Sequence, residues 1–453
     1  MIVNVAGAGA GKTTKMADFL LDKKIPKGKI VFCIAFTNDA VKNIKEKITE
    51  KRGNIPENIR ISTIHSFLYK EFIDTYYYFL YKKQFERIST VELPNDNILK
   101  SKKTSDLEEN NVLHITKIPE KAKWVVYKKS SDKKATKDIR EKIILRFRSY
   151  CASIFIDEAQ DINKDMYDIL SALDNAGIEI VLYGDPKQDV KGFNCFRDII
   201  NNTDNVTYIS ECHRCPQKHL NLSNTLATEN EKQIADEGKP DGSLEIVFES
   251  DLDDIKNYIN SSNYDLCFIS KKYHQFCTHR ANKDDRFERL YYFVFQAMAE
   301  KYCRKRSEIE RKRIAFLITE KMLKDYDLSG NAEKQILYYV NNGIFDRPNK
   351  KNYNQMISSF SAKPSEADDT IIVRSIEIIK GLEAERCLFI LTPDLAPYLF
   401  KKKYDDNKTR HLLYVALTRS KNHLTILATK DVEEIFSKSY MVNFLNQYTN
   451  ITT

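Results

Sequence analysis

A chain of 453 residues exceeds one ordinary domain and calls for two or three. With 42% hydrophobic and 30% charged residues it has the composition of a water-soluble globular protein; no 18-residue uncharged apolar window occurs and no signal-peptide pattern opens the chain, so a membrane span is excluded and a cytosolic location expected. The net charge of +8 is local, since Lys117 to Arg148 holds 12 basic and 4 acidic residues and Lys301 to Arg313 another 7 and 2, which favours a polyanion partner over a solvated helical face only when both clusters are counted.

In chain order, Ile2-Val-Asn-Val5 reads as a strand. It leads into Ala6-Gly7-Ala8-Gly9-Ala10-Gly11-Lys12-Thr13-Thr14 and then a helical pattern through Leu21. Small residues let backbone N–H groups turn toward phosphate oxygens, and the following helix points its positive end at them. Lys12 then reaches the β and γ phosphates, and Thr13 offers a hydroxyl to Mg²⁺. Ala6 stands where the strict pattern has glycine, but the strand, loop and helix context supports the reading.

Ile30 to Phe36 is an apolar run expected as a buried parallel strand, Asp39 to Glu50 a helix, Arg60 to Thr63 a strand, and Ile64-His65-Ser66-Phe67 a helix start. This rhythm means a doubly wound α/β domain. From Thr75 to Arg148 it breaks into aromatic, Lys-rich and Asn/Ser-rich sequence, read as a basic inserted subdomain with flexible parts. The strand Ala152 to Ile156 ends in Asp157-Glu158-Ala-Gln160-Asp161. Paired carboxylates at a strand's carboxyl end, after a phosphate loop, suit metal binding by Asp157 and water activation by Glu158. A helix around Asp165 to Asp174 precedes the strand Ile178 to Tyr183, and Gln188 follows in Gly184-Asp-Pro-Lys-Gln188. Its amide either senses the γ-phosphate or caps a turn.

Val206 to Ile209 is a further strand. Cys212-His-Arg-Cys215, with His219 nearby, is either the start of a zinc site lacking its second pair or two thiols flanking a functional arginine, and the second reading is preferred. The nine cysteines mostly sit in apolar runs, as reduced core residues do. Leu244–Phe248, Tyr264–Ile269, Thr370–Val373, Cys387–Leu391 and Leu424–Ala428 are expected to build a second sheet, interrupted by charged helical sequence from about 284 to 365. The expected domains are therefore 1–74 with 149–205, the insertion 75–148, then 206–283 with 366–453 and the insertion 284–365.

These stretches, in this order, resemble superfamily 1 DNA helicases of the UvrD/Rep group. The phosphate loop is similar to motif I, Ala35-Phe36-Thr37-Asn38 to motif Ia, and Ser62-Thr63-Ile-His65-Ser66-Phe67 to the next strand-binding motif. Asp157 to Asp161 resembles motif II, Gly184 to Gln188 with Gly192-Phe193 motif III, and Glu211-Cys-His-Arg214 motif IV. Lys380-Gly381-Leu382-Glu383 resembles motif V and Leu412 to Ser420, with Thr418-Arg419, motif VI. The resemblance implies two RecA-like P-loop NTPase domains, each with an inserted helical subdomain, and ATP with Mg²⁺ between them. Arg214 and Arg419 would act as arginine fingers, Gly381 and Glu383 would meet the nucleotide through its ribose, and Gln188 would couple phosphate state to closure. Phe36 and Phe193 would stack on bases, with Thr37, Asn38, Thr63 and His65 along the backbone.

An ATP-dependent 3′-5′ motor on single-stranded or partly duplex DNA is thus expected. Compact UvrD-like proteins similar to this one occur beside nucleases in anti-phage systems of the Gabija kind. The alternative is therefore a nucleotide- and DNA-sensing subunit that controls a partner nuclease. The sequence departs from the group in having no room for the glutamine segment that reads adenine, in Lys191-Gly192-Phe193 of motif III, and in a short second insertion.

Overall fold

The computed structural model describes residues 1–93, 97–278, 285–299, 302, 306–361 and 371–449. They form two compact units, Met1–Ser270 with Ser375–Thr453, and Lys271–Arg374.

The larger unit contains two sheets, and the one nearer the N-terminus has six strands: β1 (Ile2–Ala6), β2 (Ile30–Ala35), β3 (Ile59–Thr63), β4 (Cys151–Ile156), β5 (Glu179–Gly184) and β6 (Val206–Ile209). All pairings are parallel, in the order β3-β2-β4-β5-β1-β6. Alternation in β2 shows why the sheet must be covered on both faces. Val31, Cys33 and Ala35 join one apolar cluster with Met16, Leu20, Ile44 and Ile48 of α1 (Lys12–Asp22) and α2 (Asn38–Arg52). Phe32 and Ile34 enter the other, with Phe67 of α3 (Ile64–Leu68) and Phe147 of α4 (Lys134–Tyr150). Residues two apart share a face, so a strand apolar at every position needs helices on both sides.

The second sheet contains β7 (Ser243–Phe248), β8 (Leu266–Ile269), β9 (Ala384–Leu391) and β10 (Ser420–Ala428), with a fifth short strand at Arg374–Ser375. β10 lies between β7 and β9, β8 is beyond β9, and these pairings are parallel. The helix α5 (Lys408–Leu417), buried along almost its whole length, packs into this half's core. The architecture is α/β with two parallel sheets, consistent with two RecA-like domains.

Three expected boundaries change. Val206–Ile209 was expected in the second domain but pairs with β1, from Val3 opposite Val206 to Ala6 opposite Ile209, because β1 has a hydrogen-bonding edge that β5 leaves open. The stretch 75–148 is not a separate body. Tyr77, Phe85, Leu113, Ile118, Val125 and Phe147 share the apolar cluster of the first sheet's face, and the Phe147 ring packs at a tilt with its centre 5.6 Å from that of Phe32 and 4.9 Å from that of Phe72. Its charge is also less free than its composition implies, since Lys117, Lys121, Lys123 and Arg140 pair with Glu120, Glu108, Asp165 and Asp132.

The third change concerns the smaller unit, which is wider than 284–365. Ile371–Ile372, expected in the second sheet, pairs instead with Phe276–Cys277 inside this unit. Its helices Asp285–Ala297, Glu308–Ser329, Ala332–Asn341 and Lys350–Ser361 enclose their own core around Leu290, Met322, Ile336 and Phe360. Thr370, residues 362–369 and, of the second basic cluster, 301 and 303–305 lie outside the described residues. Among the described residues no helix is long and apolar enough to cross a membrane.

Candidate active site

Parallel strands deliver their carboxyl ends to one edge, where ligands of open α/β sheets bind. In the first sheet that edge receives the loop 7–11 from β1, Phe36-Thr37 from β2, Thr63 to His65 from β3, Asp157-Glu158 from β4, Gly184 to Gln188 from β5 and Glu211 to Arg214 just past β6.

The loop after β1 curls so that Gly9 (φ 72°) and Gly11 (φ 68°) take the left-handed conformation, which glycine adopts without strain. Gly9 is needed twice over, because a Cβ there would lie 2.4 Å from Cβ of Arg214. Lys12 opens α1, and its ammonium donates two long hydrogen bonds, 3.4 Å each, to the carbonyls of Ala6 and Gly7. The Thr13 hydroxyl donates to a carboxylate oxygen of Asp157 at 2.8 Å. These are two hard oxygen donors in contact, one of them anionic, and this donor set fits Mg²⁺.

Asp157 and Glu158 stand in different fields. Burial first, and then the adjacent Glu158, push Asp157 up to about 6, against the Thr13 hydrogen bond and the Lys12 charge. Burial raises Glu158 as well, but Lys12, Lys380 and the Gln160 amide more than offset it, and its carboxyl is held below the usual range. Glu158 is therefore an anion at neutral pH, aimed by a left-handed backbone (φ 58°) and held by the Gln160 side chain. Gln160 also accepts the Asp185 N–H at 2.9 Å, tying the ends of β4 and β5 together. The Gln188 amide donates to Asp185 at 3.0 Å, so here it performs the turn-capping alternative.

Arg214 lies against the loop and pairs with Glu383 at 2.6 Å, while its Nη1 donates to the Thr418 carbonyl at 3.3 Å. Glu383, expected at a ribose, is shared between Arg214 and Lys421, the latter at 2.8 Å. Gly381 sits exposed with φ 91°. Arg419 is the least expected placement, since it is only 1% exposed. It donates to the carbonyls of Val415 at 3.0 Å and Leu382 at 3.2 Å. Burial, followed by repulsion from Arg214, lowers it to about 10, which leaves it charged at neutral pH.

Phe36 and Phe193 are brought together by Lys191, whose ammonium lies 5.7 Å from one ring centre and 5.9 Å from the other. His65 joins them electrostatically: burial and then Lys191 hold its pKa below the ordinary value. Thr37 and Thr63 are already employed as helix caps, accepting N–H bonds from Ala40 and Ser66 at 3.1 and 3.3 Å. Asn38 begins α2 and is exposed.

His219, weighed as a zinc ligand, turns its Nε2 to the Ser243 carbonyl at 2.8 Å. Among the described residues no group of three or more metal-ligating side chains assembles. Cys212 instead floors the phosphate loop, its thiol donating to the Ala8 carbonyl at 3.2 Å while the His213 N–H reaches the Gly9 carbonyl at 2.9 Å.

Residues 1–194 match the family model described as an AAA domain. Over 273 residues, 56% of the chain, the sequence is 29% identical to the Gabija protein GajB of Bacillus cereus (strain VD045), and it spans about half, 52%, of that relative's length. Among solved structures, the chain aligns over 96% of its length with 62% of an arterivirus nonstructural protein 10 (helicase) solved with DNA, at 11% identity and a TM-score of 0.39. The PRRSV helicase aligns over 94% of the chain and 52% of its own length, at 12% identity and a TM-score of 0.35.

Lys380 and two further residues at this site carry no assigned role in the sequence. Lys380 pairs with Asp161 at 2.9 Å and bears on Glu158; its place in the Lys380-Gly-Leu-Glu run was the available signal. Tyr414 and Gln233 meet the loop at Ala8. Tyr414 lies inside the Leu412 to Ser420 run, whereas Gln233 sits in a polar stretch that gives no sequence signal at all.

Proposed function

We propose that this chain is an ATP-dependent motor on single-stranded DNA, a helicase or translocase moving 3′ to 5′ in the cytoplasm. The observation that carries the reading is the gathering of Lys12, Thr13, Asp157 and Arg214 at one phosphate loop, with Glu158 in the field of Lys12. An aromatic and cationic face lies on the same sheet edge. Lys12 exchanges its two long carbonyl bonds for phosphate oxygens, and Glu158 polarises the attacking water. Arg214, already against Gly9, stabilises charge on the transferred phosphoryl group. Arg419 stands behind Arg214 and fixes the Thr418 turn. Thr13 and Asp157 would hold Mg²⁺, which when bound neutralises phosphate charge. The direction of movement rests on the UvrD/Rep likeness.

The test is the steady-state rate of ATP hydrolysis by the full chain with and without an oligo-dT strand at fixed salt. At least tenfold stimulation is expected, followed by displacement from a 3′-tailed but not a 5′-tailed duplex. Hydrolysis indifferent to DNA would sink the motor. Chelating divalent ions with EDTA is expected to stop hydrolysis and Mg²⁺ to restore it; turnover persisting in EDTA would remove Thr13 and Asp157 from the assigned role. Phe193→Ala is expected to weaken oligo-dT binding by roughly 1–3 kcal/mol in a fluorescence titration, the contribution of one stacked base. An unchanged affinity would leave Phe193 outside the DNA path.

The match to a Gabija protein favours one second reading, a nucleotide- and DNA-sensing subunit that controls a partner nuclease in anti-phage defence. Such a subunit hydrolyses ATP with DNA bound yet displaces no strand.

A further inference from the structure

Ala8, at the crest of the phosphate loop, has both of its backbone polar atoms bound by side chains distant in sequence. Its N–H donates to the Tyr414 hydroxyl at 3.2 Å. Its carbonyl accepts from the Gln233 amide at 3.0 Å, in addition to the Cys212 thiol. Tyr414 closes the ring by donating to the Gln233 side-chain oxygen at 2.9 Å. The three groups thus form one closed circuit of hydrogen bonds, from the Ala8 N–H through Tyr414 and Gln233 back to the Ala8 carbonyl.

The circuit is rigidly mounted. Gln233 is 1% exposed, and Asn224 grips its backbone on both sides, accepting its N–H and donating to its carbonyl at 2.8 Å each. Tyr414 is equally buried on α5, five residues before Arg419, and the Lys187 ammonium lies 5.0 Å from its ring centre. Gly7 accommodates the arrangement: a Cβ there would lie 2.1 Å from the Gln233 side chain. A buried glutamine whose side-chain oxygen and nitrogen are both hydrogen-bonded, abutting a glycine that no other residue can replace without moving it, is a fixed part and not a filler.

We infer that Gln233 and Tyr414 are positioning residues for the phosphate loop, holding the Ala8 peptide in one orientation so that the loop receives phosphate already shaped. The inference rests on reading residues 6–13 as that loop. A preorganised loop strengthens binding of ground state and transition state alike. Its loss therefore raises KM for ATP and leaves kcat in place. Because the ring acts as a unit, opening it at one residue removes most of what opening it at both removes.

The experiment compares Gln233→Met, which keeps volume and removes both side-chain bonds, Tyr414→Phe, and the double variant, all in the full chain. ATP affinity is measured by calorimetry, and KM and kcat by steady-state hydrolysis with Mg²⁺. The expected result is about a tenfold weaker affinity and higher KM in each single variant, kcat within twofold, and a double variant within about twofold of the singles. Unchanged affinity in both singles, or effects that multiply in the double, would overturn the circuit. Should Gln233→Met fail to fold, Tyr414→Phe, which removes a single oxygen, decides alone. Wild-type protein that binds no ATP would overturn the phosphate-loop reading and this inference with it, whereas wild-type binding with indifferent variants overturns this inference only.

Discussion

Glu158→Gln is expected to lower the rate of ATP hydrolysis by about 10²- to 10⁴-fold, the usual contribution of a positioned general base, while ATP affinity stays within a few-fold of wild type. The reason lies in how its field is arranged. Lys12, Lys380 and Gln160 keep Glu158 ionised in spite of burial, and its left-handed backbone fixes where the carboxylate points. Glutamine keeps the shape and loses the basicity. Asp157, the other carboxylate, instead receives the Thr13 hydroxyl and belongs with the metal-binding side. Phosphate release in a single-turnover assay, read beside calorimetric ATP binding, checks the separation. A variant that hydrolyses normally would assign water activation elsewhere, and one that no longer binds ATP would show Glu158 to be structural.

Arg419→Ala is expected to produce the second large effect, on stability as well as on turnover. Arg419 is among the largest fully buried side chains described. Truncation leaves the Leu382 carbonyl without its guanidinium partner and opens a cavity beside α5. An orphaned buried acceptor costs about 1–3 kcal/mol and a large-to-small core truncation about 2–5 kcal/mol. A combined loss of about 3 kcal/mol or more is expected, which for a domain of this size moves the thermal midpoint down by roughly 6–12 °C. Arg419→Lys keeps a charge but cannot reach the Val415 and Leu382 carbonyls in a fork, so it should recover little of either property. If Arg419→Ala melts like wild type while hydrolysis collapses, the guanidinium works on the phosphate directly and not as the brace drawn here. Differential scanning fluorimetry with parallel rate measurements distinguishes these outcomes.

Much of the first sheet was legible because its signals are local. Ile30 to Phe36 is apolar at every position, which only a strand covered on both faces tolerates. The Gly/Ala run with Lys12 and Thr13 marks a loop whose geometry depends on glycine, and Asp157-Glu158 follows an apolar strand directly. Boundaries were less legible. Val206 to Ile209 reads as a strand from composition, but which sheet it joins depends on the unpaired edge of β1, and nothing near residue 206 encodes that. The basic stretch from Lys117 to Arg148 looked like a charged surface because composition counts lysines and arginines without their partners. The fold buries Lys121 and Arg140 against Glu108 and Asp132.

The sequence by itself determined the α/β class, the strand ends that bear chemistry, and the residue types able to hold phosphate and a divalent ion, since strand periodicity, glycine conformation and side-chain chemistry are properties of short segments. Only the tertiary structure decided which distant groups meet: Gln233 reaches Ala8 across 225 residues and Tyr414 across 406. It also turned Arg419 inward and gave Glu383 to Arg214 and Lys421. Such pairings depend on packing and on the satisfaction of buried polar groups, which are summed over the whole fold and leave no mark on any one stretch of chain.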